Sequence, residues 1–334
     1  MTNIMLIGEA WGEQEARQRT AFVGPTGWLL KNLLTEAGIR VADCYMTNVF
    51  NFQPQGNKIE TLCGPRDEGI LGYPSLLPGK YVSYKYGPEI SRLHGEIKSV
   101  EPNVVVALGN TAMWATLGKT RIGTYRGVVQ LAADGYKVLP TYHPAAIFRQ
   151  WNLRPVTVLD LMKARRESEY PDIRRPKRQI WIEPTLEDIH EFNRRYIQSC
   201  ERLAVDIETA GTIITCIGFA PSRDIAIVIP FYDPGRPGKC YWPDIYSYRE
   251  ARSIVADILG NATPKIFQNG LYDISFLWRA LGLKVRNAME DTMLLHHALQ
   301  PESLKSLGFL GSVYSDEGSW KQLRRGRTTI KRDD

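Results

Sequence analysis

The stretch Asn103-Val-Val-Val-Ala-Leu-Gly109 is apolar at every position from Val104 to Leu108. A strand with one wet face alternates apolar and polar residues. Unbroken apolarity means both faces are covered, the condition of a central strand in a parallel sheet. The surrounding sequence agrees. Asn3-Ile-Met-Leu-Ile7, Tyr45-Met-Thr-Asn-Val-Phe50 and Lys137-Val-Leu-Pro-Thr-Tyr-His-Pro144 read as further strands. Between the first two, Trp28, Leu29, Leu33, Leu34 and Ala37 fall at helical spacing, and Gly38 closes that helix. A second helix is predicted over 89–99, Asn110 is placed to cap a third, and 156–168 forms a closing helix with Val156, Leu159, Leu161 and Met162. The Gly/Pro-rich, aromatic stretch 59–88 reads as a loop insertion. Strands alternating with helices predict an α/β layer structure whose site lies at the carboxyl ends of the strands. Glu9, Asn48 and His143 each stand at such an end, so they are expected to converge.

Composition then shifts. Lys163 to Gln179 holds Arg165-Arg166, Arg174-Arg175, Lys177-Arg178, Pro171 and Pro176, without apolar periodicity. With 334 residues there is room for two cores. The expected division is 1–165, a basic linker 166–179, and 180–334. Arg174, Arg175, Lys177 and Arg178 read either as a phosphate-contacting strap or as a solvated, self-repelling linker.

The second half is organised around Leu203-Ala-Val-Asp-Ile-Glu-Thr-Ala-Gly211. Asp206 and Glu208 are two residues apart, so on a strand their carboxylates share a face. Adjacent carboxylates repel unless a cation sits between them; the alternative is an edge strand with two solvated acids. Thr185 is placed as an N-cap with Asp188 three residues on. A meander follows over 213–220 and 225–231, then a helix over 247–260. Ile266-Phe267 suggests a short strand, and Asn269-Gly270 turns into a helix through Ile274, Phe276, Leu277 and Leu281. Asp273 falls in its first turn, where a negative charge is favoured. Glu290-Asp-Thr-Met-Leu begins another strand-to-helix segment.

Asp-x-Glu followed about sixty residues later by Asn-x-x-Tyr-Asp resembles the first two motifs of the 3′–5′ proofreading exonucleases. More narrowly, it looks like the exonuclease domain of family A DNA polymerases, including phage ones. The resemblance implies a mixed-sheet, ribonuclease H-like domain. It also implies divalent ions, Mg2+ or Mn2+, held by Asp206, Glu208, Asp273 and a fourth Asp in a late Tyr-x-x-x-Asp motif. That fourth motif is not found. Tyr314-Ser-Asp316 has another spacing, Gly318-Ser-Trp-Lys321 resembles what precedes the missing helix, and the chain stops at Asp334. Asp291 is often present in the family without being a usual ligand. A split polymerase, its remainder on another chain, is therefore an expectation. The basic residues Arg324, Arg325, Arg327, Lys331 and Arg332 form a tail for DNA or a partner, or a disordered terminus.

The first half carries a second resemblance. Gly8-Glu-Ala-x-Gly12, Phe22-Val-Gly24, Thr47-Asn-Val49, Ala107-Leu-Gly-Asn-Thr111 and His143-Pro-Ala-Ala146 look like the uracil-DNA glycosylase superfamily, closest to its family 4. This implies a parallel-sheet, three-layer domain. It implies that Glu9 helps position an attacking water, Phe22 stacks on a flipped uracil, Asn48 hydrogen-bonds its edge, and His143 stabilises charge on the leaving base. Asn57 matches a further Asn after the Pro-rich turn. Two features depart from the family. Its members hold an iron–sulfur cluster on four cysteines, whereas Asn51-Phe-Gln-Pro54 lacks Cys and Cys63 stands alone, so no cluster is expected. Trp11 replaces the usual Pro, and at the mouth it would narrow base access or change which base fits. Phe50 and Phe52 add aromatic surface nearby, which reads as core packing ahead of DNA stacking.

Composition limits the remaining classes. The net charge of +6 favours polyanionic partners. Five widely spaced cysteines argue against a disulfide framework and fit a reducing cytoplasm, which the resemblances imply to be that of a bacterial or phage-infected cell. No apolar run reaches the length of a membrane span. The expected function is 3′–5′ DNA exonuclease action combined with uracil recognition or excision, on single-stranded DNA or 3′ ends. The alternative is a non-catalytic DNA-binding subunit of a separate DNA polymerase chain.

Overall fold

In the computed structural model the described residues are 3–315 and 317. Asp316, Gly318–Lys321 and the basic tail from Arg324 lie outside them. The chain divides into two compact units, 1–174 with 308–334, and 175–307. The crossing at Arg174–Arg175 falls inside the expected linker, whereas the return at Gly308 groups the last segment with the first unit rather than with 175–307.

In the first unit, β1 (Ile4–Ala10) leads through α1 (Glu13–Gln18) and α2 (Pro25–Glu36) to β2 (Cys44–Phe50). The insertion contains only short turns and a ribbon of β3 (Cys63–Gly64) with β4 (Tyr81–Val82). Then come α3 (Gly87–Val100), β5 (Val104–Leu108), α4 (Gly109–Leu117), α5 (Ile122–Tyr125), β6 (Gln130–Leu131), β7 (Lys137–Thr141), α6 (Pro144–Arg149) and α7 (Arg154–Glu167). The sheet order is β2-β1-β5-β7-β6, parallel except for β6.

Strand alternation divides the core into two layers. Ile4, Leu6, Val104, Val106 and Leu139 pack with Leu30, Leu33 and Leu161 from α2 and α7. Met5, Ile7, Val105, Ala107 and Val138 pack with Leu93, Met113 and Trp114 from α3 and α4. This is the two-sided covering that the Val104–Leu108 run demanded. Phe50 is fully buried and meets Phe52 edge-on, and Phe52 stacks on Tyr86 with centroids 5.6 Å apart. Two local expectations fail. Trp28 is 65% exposed, because α2 buries Leu29, Leu30, Leu33 and Leu34 and the Trp falls off that stripe. Asn110 does not cap α4, which starts one residue earlier; its Oδ1 instead accepts from the Ile122 amide at 2.8 Å.

In the second unit, β8 (Gln179–Ile182), α8 (Leu186–Phe192), β9 (Leu203–Ala210), β10 (Ile213–Ala220), β11 (Ile225–Pro230), α9 (Ile245–Gly260), β12 (Lys265–Phe267), α10 (Gly270–Leu281), β13 (Ala288–Asp291) and α11 (Thr292–Leu299) follow in order. The sheet order is β13-β12-β9-β10-β11-β8. Antiparallel pairs flank β10, and the outer pairs are parallel, so the sheet is mixed. Leu203, Val205 and Ile207 turn one face of β9 into the core with Phe219, Ile227, Phe192 and Ile254, which leaves Asp206 and Glu208 on the other face. The Thr185–Asp188 capping box forms as expected. The last described helix, α12 (Leu307–Tyr314), belongs with the first unit apart from its first residue.

Candidate active site

The first unit encloses a cavity of ≈370 Å³ at the carboxyl ends of its strands. Glu9, Phe22, Asn48, Asn57 and His143 all line it. The five therefore come from β1, the α1–α2 loop, β2, the turn after β2 and the turn after β7, elements brought together by the parallel sheet. Glu9 and Asn48 lie within the last residues of their strands rather than beyond them. Trp11 is not among the residues lining this cavity; its amide donates to the Phe50 and Phe52 carbonyls.

Each wall residue has a physical constraint. Gly8 faces Asn48 in register, and a Cβ there would stand 2.2 Å from Asn48 Oδ1 and 2.6 Å from Phe22 Cζ. Phe22 is buried with φ +57°, a backbone state that costs a bulky residue roughly 1–3 kcal/mol and collects at functional sites. Glu15 holds that loop: its carboxylate accepts from the Gly24 amide at 2.8 Å. Thr111 donates to Glu9. Burial raises the Glu9 carboxyl above its ordinary range, against the Thr111 bond and the Arg149 charge, with the nearby Glu60 adding to the rise.

His143 caps α6, its Nδ1 accepting from the Ala145 amide at 3.1 Å. That bond leaves the ring proton on Nε2. Burial, then the Arg149 charge, push its pKa down to about 4. A neutral imidazole with one donor nitrogen is thus the resting form at neutral pH. Thr111, Glu15, Tyr142 and Arg149 carry no role in the sequence reading. Thr111 lies inside a quoted motif, but which carboxylate it would meet depends on a contact 102 residues away in sequence.

In the second unit the structure joins the two acidic motifs. Asp273 Oδ1 accepts from the Ile207 amide at 3.1 Å, between Asp206 and Glu208. The Tyr272 and Thr209 hydroxyls share a further bond of 2.9 Å. Asn269 takes φ +60°, and its amide and that of Gly270 donate to Asp291 at 3.1 and 2.7 Å. Burial raises the Asp291 pKa, but its amide donors outweigh burial and hold it low. Asp291 therefore sets the turn that places Asp273. Gly218 lies opposite Asp206, so no side chain crowds that carboxylate from β10. Burial pushes Asp273 up to about 6, against the Ile207 bond and with the Asp206 charge. Oxygen donors of this kind suit a hard divalent cation. Among the described residues no three His, Cys, Asp or Glu side chains are grouped to hold a metal. Asp206 is exposed and Asp273 buried, and the Asp206 charge acts on Asp273.

Arg174, Arg175, Lys177 and Arg178 are exposed and do not line the first-unit cavity. Arg174 sits over the Tyr170 ring at 3.9 Å, and Arg178 donates to the Arg223 carbonyl at 3.2 Å.

Residues 1–164 match the model of the uracil DNA glycosylase superfamily. A type-4 uracil-DNA glycosylase of Thermotoga maritima is 33% identical over 168 residues, covering 49% of this chain and 77% of the relative. The chain belongs to the uracil-DNA glycosylase superfamily. A type-4 enzyme of Saccharolobus solfataricus is 31% identical over 171 residues, covering 48% of this chain and 69% of the relative. Beside this glycosylase-superfamily unit, residues 184–319 match the 3′-5′ exonuclease model. Among solved structures, Brucella melitensis NrnC with bound Mg2+ has a TM-score of 0.29 and 16% identity, covering 44% of this chain and 64% of that one. This chain thus spans less than two thirds of that structure. Both matched families are hydrolases acting on DNA, and their pairing in one chain supports a role in DNA repair or processing. Among the described residues no helix is long and apolar enough to cross a membrane.

Proposed function

We propose that the first unit excises uracil from DNA by hydrolysing the bond between base and sugar. The observation that carries this is the convergence of Glu9, Phe22, Asn48 and His143 on one cavity. As the bond breaks, its electrons move onto the base and positive charge develops on the sugar. The neutral His143 Nε2–H donates to the oxygen where the negative charge collects, which asks for no protonation beforehand. The Glu9 carboxylate faces the sugar cation and orients the water whose oxygen bonds to it. Phe22 offers a stacking face and Asn48 a hydrogen-bonding edge to a base taken out of the stack. Uracil incubated as a single lesion in a 5′-labelled single strand, in EDTA and followed by alkali, tests this. Cleavage at the uracil that disappears in His143→Ala supports it, and an intact strand with the parent protein overturns it.

The tie between Asp273 and Ile207 favours a second activity, 3′–5′ DNA exonuclease action in the second unit. Mg2+ or Mn2+ held by Asp206, Glu208 and Asp273 would activate water and neutralise charge there, once these carboxylates close around it. A ladder from the 3′ end with metal tests that reading. If the protein binds DNA and makes neither product, the reading becomes that of a non-catalytic DNA-binding accessory subunit.

A further inference from the structure

We propose that α12 is a positioning element of the excision cavity, sealing a buried charged network beneath the wall that carries His143. Arg126 and Asp160 are each 1% exposed and form a two-pronged ion pair, one prong 2.8 Å long. Thr141, fully buried at the end of β7, donates to the same Asp160 at 2.6 Å. Tyr142 and His143 follow directly and line the cavity. On its other side the network is completed from α12. Arg126 Nη1 donates to the Ser312 hydroxyl at 2.8 Å, and that hydroxyl donates to the Phe309 carbonyl at 2.7 Å. The Arg126 guanidinium stands over the Phe309 ring at 5.5 Å. Lys163 is 3% exposed, and its ammonium donates to the carbonyls of Gly127, Ser312 and Ser315 at 2.7, 3.0 and 2.7 Å. The fit is close: a Cβ on Gly127 would meet Asp160 Oδ1 at 2.6 Å and the Ser312 carbonyl at 3.0 Å.

Buried charges tolerate no lost partner, because the desolvated group is then left uncompensated. Without α12, Arg126 loses an acceptor and Lys163 loses two of these carbonyls. Arg126 is also the residue that ends α5, whose first residue, Ile122, lines the cavity. Loosening the network therefore acts on two walls at once. It also gives a reason for the chain to return to its first unit after building the second. The excision readout rests on the activity proposed above; the structural readout does not.

The test uses the full chain with Ser312→Ala, Ser312→Thr and Leu310→Asp, the last placing a charge at a buried apolar position of α12. Hydrogen exchange is followed on peptides spanning 122–127 and 139–147, and uracil excision is measured in EDTA. In Ser312→Ala, kcat is expected to fall about three- to tenfold with KM unchanged, exchange in both peptides to rise, and Ser312→Thr to restore both. Leu310→Asp is expected to raise exchange in the same peptides further. If Leu310→Asp does not fold, the Ser312 pair decides. Unchanged exchange in 122–127 and 139–147 while 307–315 exchanges freely overturns the proposal, as does an unaltered kcat in Ser312→Ala. Should the parent prove inert on uracil, the excision reading fails and the exchange arm still decides this one.

Discussion

Gly8 and Asn48 face each other across β1 and β2, so close that a single methyl on Gly8 would lie 2.2 Å from the Asn48 side-chain oxygen. The same methyl would press on Phe22 at 2.6 Å. Gly8→Ala is therefore expected to displace both side chains proposed to contact the base while leaving the sheet paired. Overpacking of this kind costs about 1–3 kcal/mol. A drop in melting temperature of a few degrees should accompany loss of most uracil excision. Full activity in a stably folded Gly8→Ala chain would show that neither Asn48 nor Phe22 reads the base.

His143 and Glu9 should give excision an acid limb of identifiable origin. His143 has a folded pKa of about 4, below its unfolded value, so its neutral form persists as pH falls until that point. The corresponding contribution to folding is full above the unfolded value near 6.5 and is lost as pH falls through about 4. Glu9 is shifted the other way and loses its charge earlier. The limb in kcat should therefore belong to Glu9. Thr111→Val, which removes a bond favouring the carboxylate, should move the limb to higher pH. In Glu9→Gln the residual rate should be flat down to about pH 4. A limb that does not respond to Thr111→Val assigns it to another group.

Removing the His143 donor while keeping the fold should cost about 10²–10³ in kcat with little change in uracil-DNA binding, the magnitude typical of a donor aimed at developing charge. Single-turnover excision by His143→Ala measures this. An equal loss in binding would instead make His143 a base-contacting residue.

Asp206→Ala should abolish metal-dependent digestion from the 3′ end while excision in EDTA continues. Asp273→Asn offers a sharper contrast. Its side-chain oxygen can still accept from the Ile207 amide, and the amide group removes a buried charge that burial and Asp206 both oppose. The variant should melt no lower than the parent at pH 7, and digestion should be lost. Digestion at the parent rate by either variant would remove these carboxylates from the nuclease reading.

The layering of the first unit was legible because burial on both faces leaves a local mark: Val104–Leu108 has no polar residue to turn outward. The acid strand was legible for a similar reason, since Leu203, Val205 and Ile207 alternate with Asp206 and Glu208. Motif spacing also pointed to the cavity set. Trp28 misled because helical spacing tolerates a residue at the margin of the buried stripe.

Sequence alone therefore determined the main strands and helices and the parallel sheet, because alternation and turn chemistry are written within short stretches, and the motif resemblances implied the mixed sheet and the residues gathered around the first cavity. Only the tertiary structure decided what those residues experience. Thr111 reaches Glu9, Asp291 organises the turn before Asp273, and Ser312 closes on Arg126 across separations of 102, 21 and 186 residues. It also tied Asp273 to the Ile207 amide, between Asp206 and Glu208. Burial, charge proximity and hydrogen-bond partners are properties of the packed chain, and no local pattern encodes contacts made at such range.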